Sequence, residues 1–178
     1  MTLFSSTAFL SLGSNKGDKP ANLHLAIACL DIHEQIRVVA VSRFYKTQPQ
    51  NFVDQDWFVN AAVKIRCRTS DPLVLLGQLK QIESCMDRQG KPFRFGPRKI
   101  DLDIIFFDDR IMKTPEIEIP HPRMHERHFV LRPICDIEPS AVHPVLGLTT
   151  QELFKNIETQ QNQAVIPLDE EETGEIFY

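Results

Sequence analysis

Two rhythms of apolar residues organise this chain, one with a period of two and one with a period near 3.6. Ala8 to Leu12 is a short continuous apolar run that reads as a buried strand, and Gly13-Ser14-Asn15-Lys16-Gly17-Asp18 follows it as a turn. Asp18 is placed to cap a helix with Pro20 in its first turn, and Leu23, Ala26, Ile27 and Leu30 then recur at helical spacing. Val38 to Tyr45 and Phe58 to Cys67 alternate or run β-branched, which predicts two strands separated by a polar loop holding Pro49 and Asn51. Asp71-Pro72 opens a second helix with Leu75, Leu76, Leu79, Ile82 and Met86 on one face. The β-branched and aromatic stretch Ile100 to Phe107 closes the series as a last strand.

The resulting order, βαββαβ, is that of an α+β ferredoxin-like sandwich, in which two helices cover one face of an antiparallel sheet. Three long loops lie between and after these elements, at 46–57, 87–99 and around 114–127, and long loops in a compact domain are more often functional than accidental. Phe129 to Ile134 and Thr150 to Ile157 are expected as short helices packed at the edge. Periodicity fades after that. Residues 1–157 are read as one domain, and 158–178 as an acidic tail without regular structure or chemistry.

Charge sharpens this division. The formal net charge is −4, but Glu158, Asp169, Glu170, Glu171, Glu172 and Glu175 follow Lys155 with no Lys or Arg among them. The body is therefore mildly basic and the tail acidic, a balance suited to a small anionic ligand rather than to nucleic acid, which calls for a stronger basic stripe. Cys29, Cys67, Cys85 and Cys135 show no C-x-x-C spacing and fall in apolar segments, so they read as buried free thiols of a reducing compartment. Phe4 to Leu12 has no preceding Lys or Arg, unlike a signal peptide, and no apolar run has the length to cross a bilayer. A cytoplasmic monomer, away from membranes, is the expectation.

Asp101 and Asp103 narrow the chemistry most. On a strand they leave the same face, opposite Leu102, Ile104 and Phe106, and a carboxylate pair there is costly to bury unless a cation neutralises it. Such hard oxygen ligands suit Mg²⁺, which usually arrives with phosphate. Arg88, Lys91, Arg94, Arg98 and Lys99 lie just upstream, ready to grip the remaining phosphate oxygens. Taken alone, the pair would equally suit a solvated strand face; the basic neighbours make the difference.

Two further groups join it. Pro120 to Phe129 concentrates His121, His125, His128, Arg123 and Arg127; without cysteine partners or an H-E-x-x-H order, zinc is a poorer reading than phosphate contacts from His121 and Arg127. Phe58 and Asn60 share a strand face, so an aromatic ring can stack on a flat heterocycle while a carboxamide reads its edge.

Taken together, Leu12-Gly13-Ser14-Asn15, Phe44-Tyr45-Lys46-Thr47, Phe58 to Val63, Phe95-Gly96-Pro97-Arg98-Lys99-Ile100-Asp101-Leu102-Asp103-Ile104 and Pro120 to Leu131 resemble the 6-hydroxymethyl-7,8-dihydropterin pyrophosphokinase family of folate biosynthesis over about residues 8–157. The resemblance implies a ferredoxin-like fold and transfer of the β,γ-pyrophosphate of ATP to the pterin hydroxymethyl oxygen, with release of AMP and two Mg²⁺ ions as cofactors. By resemblance Asp101 and Asp103 hold both metals, and Arg88 and Arg98 clamp the triphosphate, these four forming the catalytic set. His121 and Arg127 contact the phosphates, and Glu83 and Ile104 line the nucleotide pocket. Phe58 and Phe129 sandwich the pterin, while Thr47, Asn60 and Asp101 meet its polar edge. Two positions depart from the family's pattern: Gly90 stands where a second arginine is usual, and Phe95 where a tryptophan is usual. The 87–99 loop is expected to close over substrate and to be mobile without it. A non-catalytic ferredoxin-like module that senses a small ligand or RNA is the alternative class.

Overall fold

β1 (Ser6–Ser14) pairs antiparallel with β4 (Phe58–Cys67) on one side and with β5 (Asp101–Phe107) on the other, and so forms the middle of the sheet. This is a computed structural model, and it describes residues 4–49, 55–87, 96–158 and 164–173. β2 (Ile36–Val41) and β3 (Tyr45–Thr47) both pair with β4, along different halves of it, which completes the ferredoxin-like arrangement. The single strand expected over Val38 to Tyr45 is thus two strands. Ser42 causes the break: its hydroxyl oxygen accepts from the Ala62 N–H at 2.8 Å, taking the place of a ladder carbonyl, while its own N–H still donates to the Ala62 carbonyl.

α1 (Lys19–Asp31) and α2 (Pro72–Met86) begin where their caps predict, with Asp18 accepting from the Ala21 N–H and Asp71 from the Leu73 N–H. Both lie on one face of the sheet, over a core that includes Leu10, Leu12, Leu23, Ile27, Leu75, Leu79, Leu102 and Phe107. The second face is also covered. α3 (His128–Ile137) and α4 (Thr150–Glu158) pack there on Phe9, Ala62, Ile105 and Phe106, not at the edge as expected. The sheet itself demands this, because those four side chains would otherwise face water. Between β5 and α3 the chain forms a small hairpin, β6 (Met112–Lys113) with β7 (Glu118–Ile119), and a short 3-10 turn at Met124–Glu126.

Simple alternation also fails within β5. Phe9 faces Phe106 while Leu10 faces Ile104, so Ile105 is an extra residue on β5. Phe106 is consequently carried to the face of Asp101 and Asp103 rather than that of Leu102 and Ile104. The acids lie before the bulge and keep the shared face that alternation predicts.

Part of the acidic tail is regular, contrary to expectation. β8 (Val165–Pro167) pairs with β3, and α5 (Glu170–Thr173) follows. Periodicity cannot reveal a three-residue edge strand, which here is held by a partner strand and not by a buried stripe of its own. All four cysteines are free; Cys67 is buried, but Cys85 is exposed, against expectation. Among the described residues, no helix is long and apolar enough to cross a membrane.

Candidate active site

One row of the sheet makes the floor of a cavity of about 260 Å³ on the α3 side. Register places Gly13 of β1 between Asn60 of β4 and Asp101 of β5, with Ser11 beside Asp103 and Thr47 beside Phe58. Ser11, Gly13, Thr47, Phe58, Asn60, Asp101 and Asp103 all line the cavity, so four strands contribute to one surface. Its walls come from loops: Gln48, Pro49 and Gln55 on one side, Arg98 at another, and His121, Arg127 and Phe129 before and at the start of α3.

The floor is held rigidly on its ring-binding side. Asn60, only 4% exposed, donates through Nδ2 to Thr47 Oγ1 at 2.6 Å. Its Oδ1 lies against Gly13, where an added Cβ would come within 2.7 Å of it. Glycine at 13 is therefore required for close approach, and it leaves Phe58 and Asn60 side by side at one end of the cavity.

The acidic side is electrostatically unfinished. Burial, reinforced by neighbouring Asp101, holds the Asp103 carboxyl well above the usual carboxylate range, while Lys80 and Arg127 oppose the shift. Arg98 Nη1 donates to Asp101 Oδ2 at 2.7 Å and its guanidinium lies 5.7 Å from the Phe58 ring centre. Two carboxylates converge, and among the described residues no third His, Cys, Asp or Glu joins them as a metal-binding group. That donor set fits Mg²⁺ bound in part by substrate phosphates better than a cation enclosed by protein.

Facing the acids is a basic arc with donors to spare. Arg127 Nε and Arg98 Nε are buried without a hydrogen-bond partner among the described residues. The bulge residue Ile105 accepts the His121 N–H at 3.0 Å, which ties the histidine loop to the strand carrying the acids. Burial and then Arg127 lower the His121 pKa to about 4, so the ring is neutral at pH 7. His121 Nδ1 lies 3.2 Å from the Arg123 N–H. Nε2 in turn lies 3.4 Å from Arg127 Nη1. The imidazole and the guanidinium thus stand side by side at the cavity wall, with the Arg127 donors in reach of an anionic oxygen placed there.

Of the residues singled out from the sequence, Thr47, Phe58, Asn60, Arg98, Asp101, Asp103, His121, Arg127 and Phe129 come together in this cavity. Glu83 and Ile104 do not line it. Glu83 Oε1 accepts the Leu102 N–H at 2.7 Å, bracing β5 between the two acids, and the Ile104 side chain is in the core under α1 and α2. Arg88, with Gly90, Lys91, Arg94 and Phe95, lies outside the described residues. The three clustered histidines part company: His121 enters the cavity, His125 meets His143, and His128 stacks near Phe154.

Sequence reasoning missed Asn15. Buried at 2% exposure, it accepts the Arg98 N–H through Oδ1 at 2.9 Å, donates its own N–H to the Arg98 carbonyl, and donates through Nδ2 to Gln55. It clamps the backbone of the arginine that meets Asp101. The signal was present in the Gly13-Ser14-Asn15 turn, where an Asn directly after a buried strand has reason to bond across to another loop.

Comparison with known proteins agrees with this geometry. The chain is 42% identical over 159 residues to the folic acid synthesis protein FOL1 of Dictyostelium discoideum, covering 89% of this chain but 24% of that protein. It is 42% identical over 130 residues to the 2-amino-4-hydroxy-6-hydroxymethyldihydropteridine pyrophosphokinase of Bacillus subtilis, covering 73% of this chain and 77% of that one. A crystal structure of Plasmodium falciparum HPPK-DHPS A437G shares the fold with a TM-score of 0.69 at 18% identity, over 88% of this chain and 47% of that chain. The chain thus spans about a quarter of the Dictyostelium protein and about half of the Plasmodium one. The family model for 7,8-dihydro-6-hydroxymethylpterin-pyrophosphokinase (HPPK) matches residues 9–139, which include every lining residue of the cavity, and the chain belongs to that family.

Proposed function

We propose that the chain transfers pyrophosphate from ATP to 6-hydroxymethyl-7,8-dihydropterin, giving AMP and the pterin diphosphate for folate synthesis. The single observation that carries this reading is the meeting, in one cavity, of a carboxylate pair, a basic arc and a ring-and-carboxamide pair. Phe58 and Phe129 hold the pterin ring, and Asn60, fixed by Thr47, reads its edge. His121, Arg127 and Arg98 take the phosphate oxygens, and Arg88 is assigned to the same clamp. Glu83 and Ile104 are assigned to the nucleotide side through backbone and support, not through the lining described above.

Asp101 and Asp103 would hold two Mg²⁺ ions. When bound, these supply charge neutralisation along the triphosphate and lower the pKa of the attacking hydroxyl. What the chain itself contributes is position. A rigid floor sets the hydroxymethyl group beside the acids, and fixed donors face the oxygens on which charge builds. The reading carries with it a cytoplasmic, monomeric enzyme, in line with four free thiols.

Incubation with ATP, Mg²⁺ and the reduced pterin tests the proposal. AMP and pterin diphosphate should form in equal amounts, with no AMP when the pterin is omitted; nucleotide binding without pterin-dependent turnover would instead make the chain a sensor. Gly13→Ala gives a sharper check on the ring side. Because the new Cβ forces Asn60 off Thr47, the pterin KM should rise about tenfold, or ~1–2 kcal/mol, with the ATP KM little changed.

A further inference from the structure

β3, which carries Thr47 and leads into Gln48 and Pro49 of the cavity wall, is three residues long. A strand so short is weakly held by a single neighbour. Its outer edge is covered by the C-terminal segment: Tyr45 faces Pro167, Lys46 faces Ile166 and Thr47 faces Val165. Gln48 is then tied twice to Ala164, its N–H donating to the Ala164 carbonyl and its Oε1 accepting the Ala164 N–H at 3.2 Å. Beyond the strand, the Leu168 N–H donates to the Phe44 carbonyl, and Leu168 packs against the core under α1 and α2. Further on, the Thr173 carbonyl meets His24 Nε2 of α1. None of residues 164–173 lines the cavity, and all lie beyond the family-model match.

We propose that residues 164–173 are a strap that positions the ring-binding wall, so that affinity for the flat heterocycle depends on a segment that never touches it. The strap fixes Thr47, and through Thr47 the Asn60 carboxamide; it also fixes Gln48 at the cavity rim. The phosphate side is held by other ties, Asn15 to Arg98, Glu83 to Leu102 and Ile105 to His121, so the effect should fall on one substrate. This inference rests on the proposed reading of the site.

Two full-chain variants test it. Ala164→Pro removes the N–H that Gln48 accepts while keeping the carbonyl, and Leu168→Asp unseats the strap from the core; Leu168→Met is the conservative control. For Ala164→Pro and Leu168→Asp the reduced-pterin KM should rise about tenfold, with ATP KM and kcat within about twofold of the unaltered chain and faster exchange of the Gln48 amide. Leu168→Met should match the unaltered chain. An unchanged pterin KM in a variant whose Gln48 amide exchanges faster would overturn the inference, as would equal rises for both substrates. Should Leu168→Asp fail to fold, Ala164→Pro decides alone. An unaltered chain that does not turn over pterin defeats the reading of the site itself, a result distinct from either.

Discussion

Replacing Asp103 by Asn is expected to abolish turnover and, at the same time, to raise the melting temperature of the metal-free chain. The side chain keeps its shape but loses the charge that would help hold Mg²⁺, so kcat/KM should fall on the order of a thousandfold. Stability moves the other way because Asp103 is held as an anion against burial and against Asp101. An acid whose folded-state pKa lies above its unfolded value of about 3.9 costs stability at every pH above that value, most fully once the pH exceeds the folded pKa. The cost shrinks as the pH falls between the two and vanishes below both. At pH 7 the substitution should therefore stabilise the metal-free fold by about 1 kcal/mol, a rise of about 2–4 °C for a domain of this size. At pH 4 the advantage should be nearly gone. Thermal melts across this range, with and without Mg²⁺, check both parts: Mg²⁺ should raise the melting temperature of the unaltered chain and leave that of Asp103→Asn almost unmoved. An unaltered melting temperature for Asp103→Asn at pH 7 would mean that the acid pair is already neutralised within the protein.

Arg98→Ala should show the opposite sign in stability with a similar loss of function. Arg98 pairs with Asp101 at 2.7 Å with only 14% of its side chain exposed, and its removal leaves two acids facing each other with one cation fewer. The metal-free fold should lose about 1–3 kcal/mol, and turnover should fall about a hundredfold as the phosphate clamp opens. Arg98→Lys should restore most of the stability but little of the rate, since an ammonium keeps the charge without the planar fork. Steady-state kinetics beside denaturant melts separate the two effects. A Lys variant with full activity would show that charge alone is needed at this position.

These opposite signs were legible in the sequence only in part. Alternation was enough to aim Asp101 and Asp103 together, because both precede the bulge at Ile105, and it was enough to set Phe58 beside Asn60. The same rule misplaced Phe106, since one inserted residue reverses every side chain after it. The caps at Asp18 and Asp71 depend on neighbours a few residues away, so the helix starts came out correctly. The turn marks Asn15 as a residue with bonds to make but does not name its partner 83 residues away, and for the strap over β3, tied 116 residues away, local pattern offers no signal at all. The second helical layer was foreshadowed by apolar spacing in Phe129 to Ile134, but its place on the sheet follows from Phe9, Ala62 and Phe106, which no helix-by-helix reading weighs. Residue types nonetheless marked most of the cavity, because paired acids, clustered arginines and a lone carboxamide on a strand are poor core formers and so call for another reason to be there.

The most direct test of the acid pair and the basic arc is an equilibrium titration of the unaltered chain with a non-hydrolysable ATP analogue, with Mg²⁺ and then with a chelator. Binding should weaken at least about tenfold without the metal, and an Asp101→Asn, Asp103→Asn double variant should bind equally weakly under both conditions. Affinity that is the same with and without Mg²⁺ in the unaltered chain, or full metal-dependent binding in the double variant, would contradict the account.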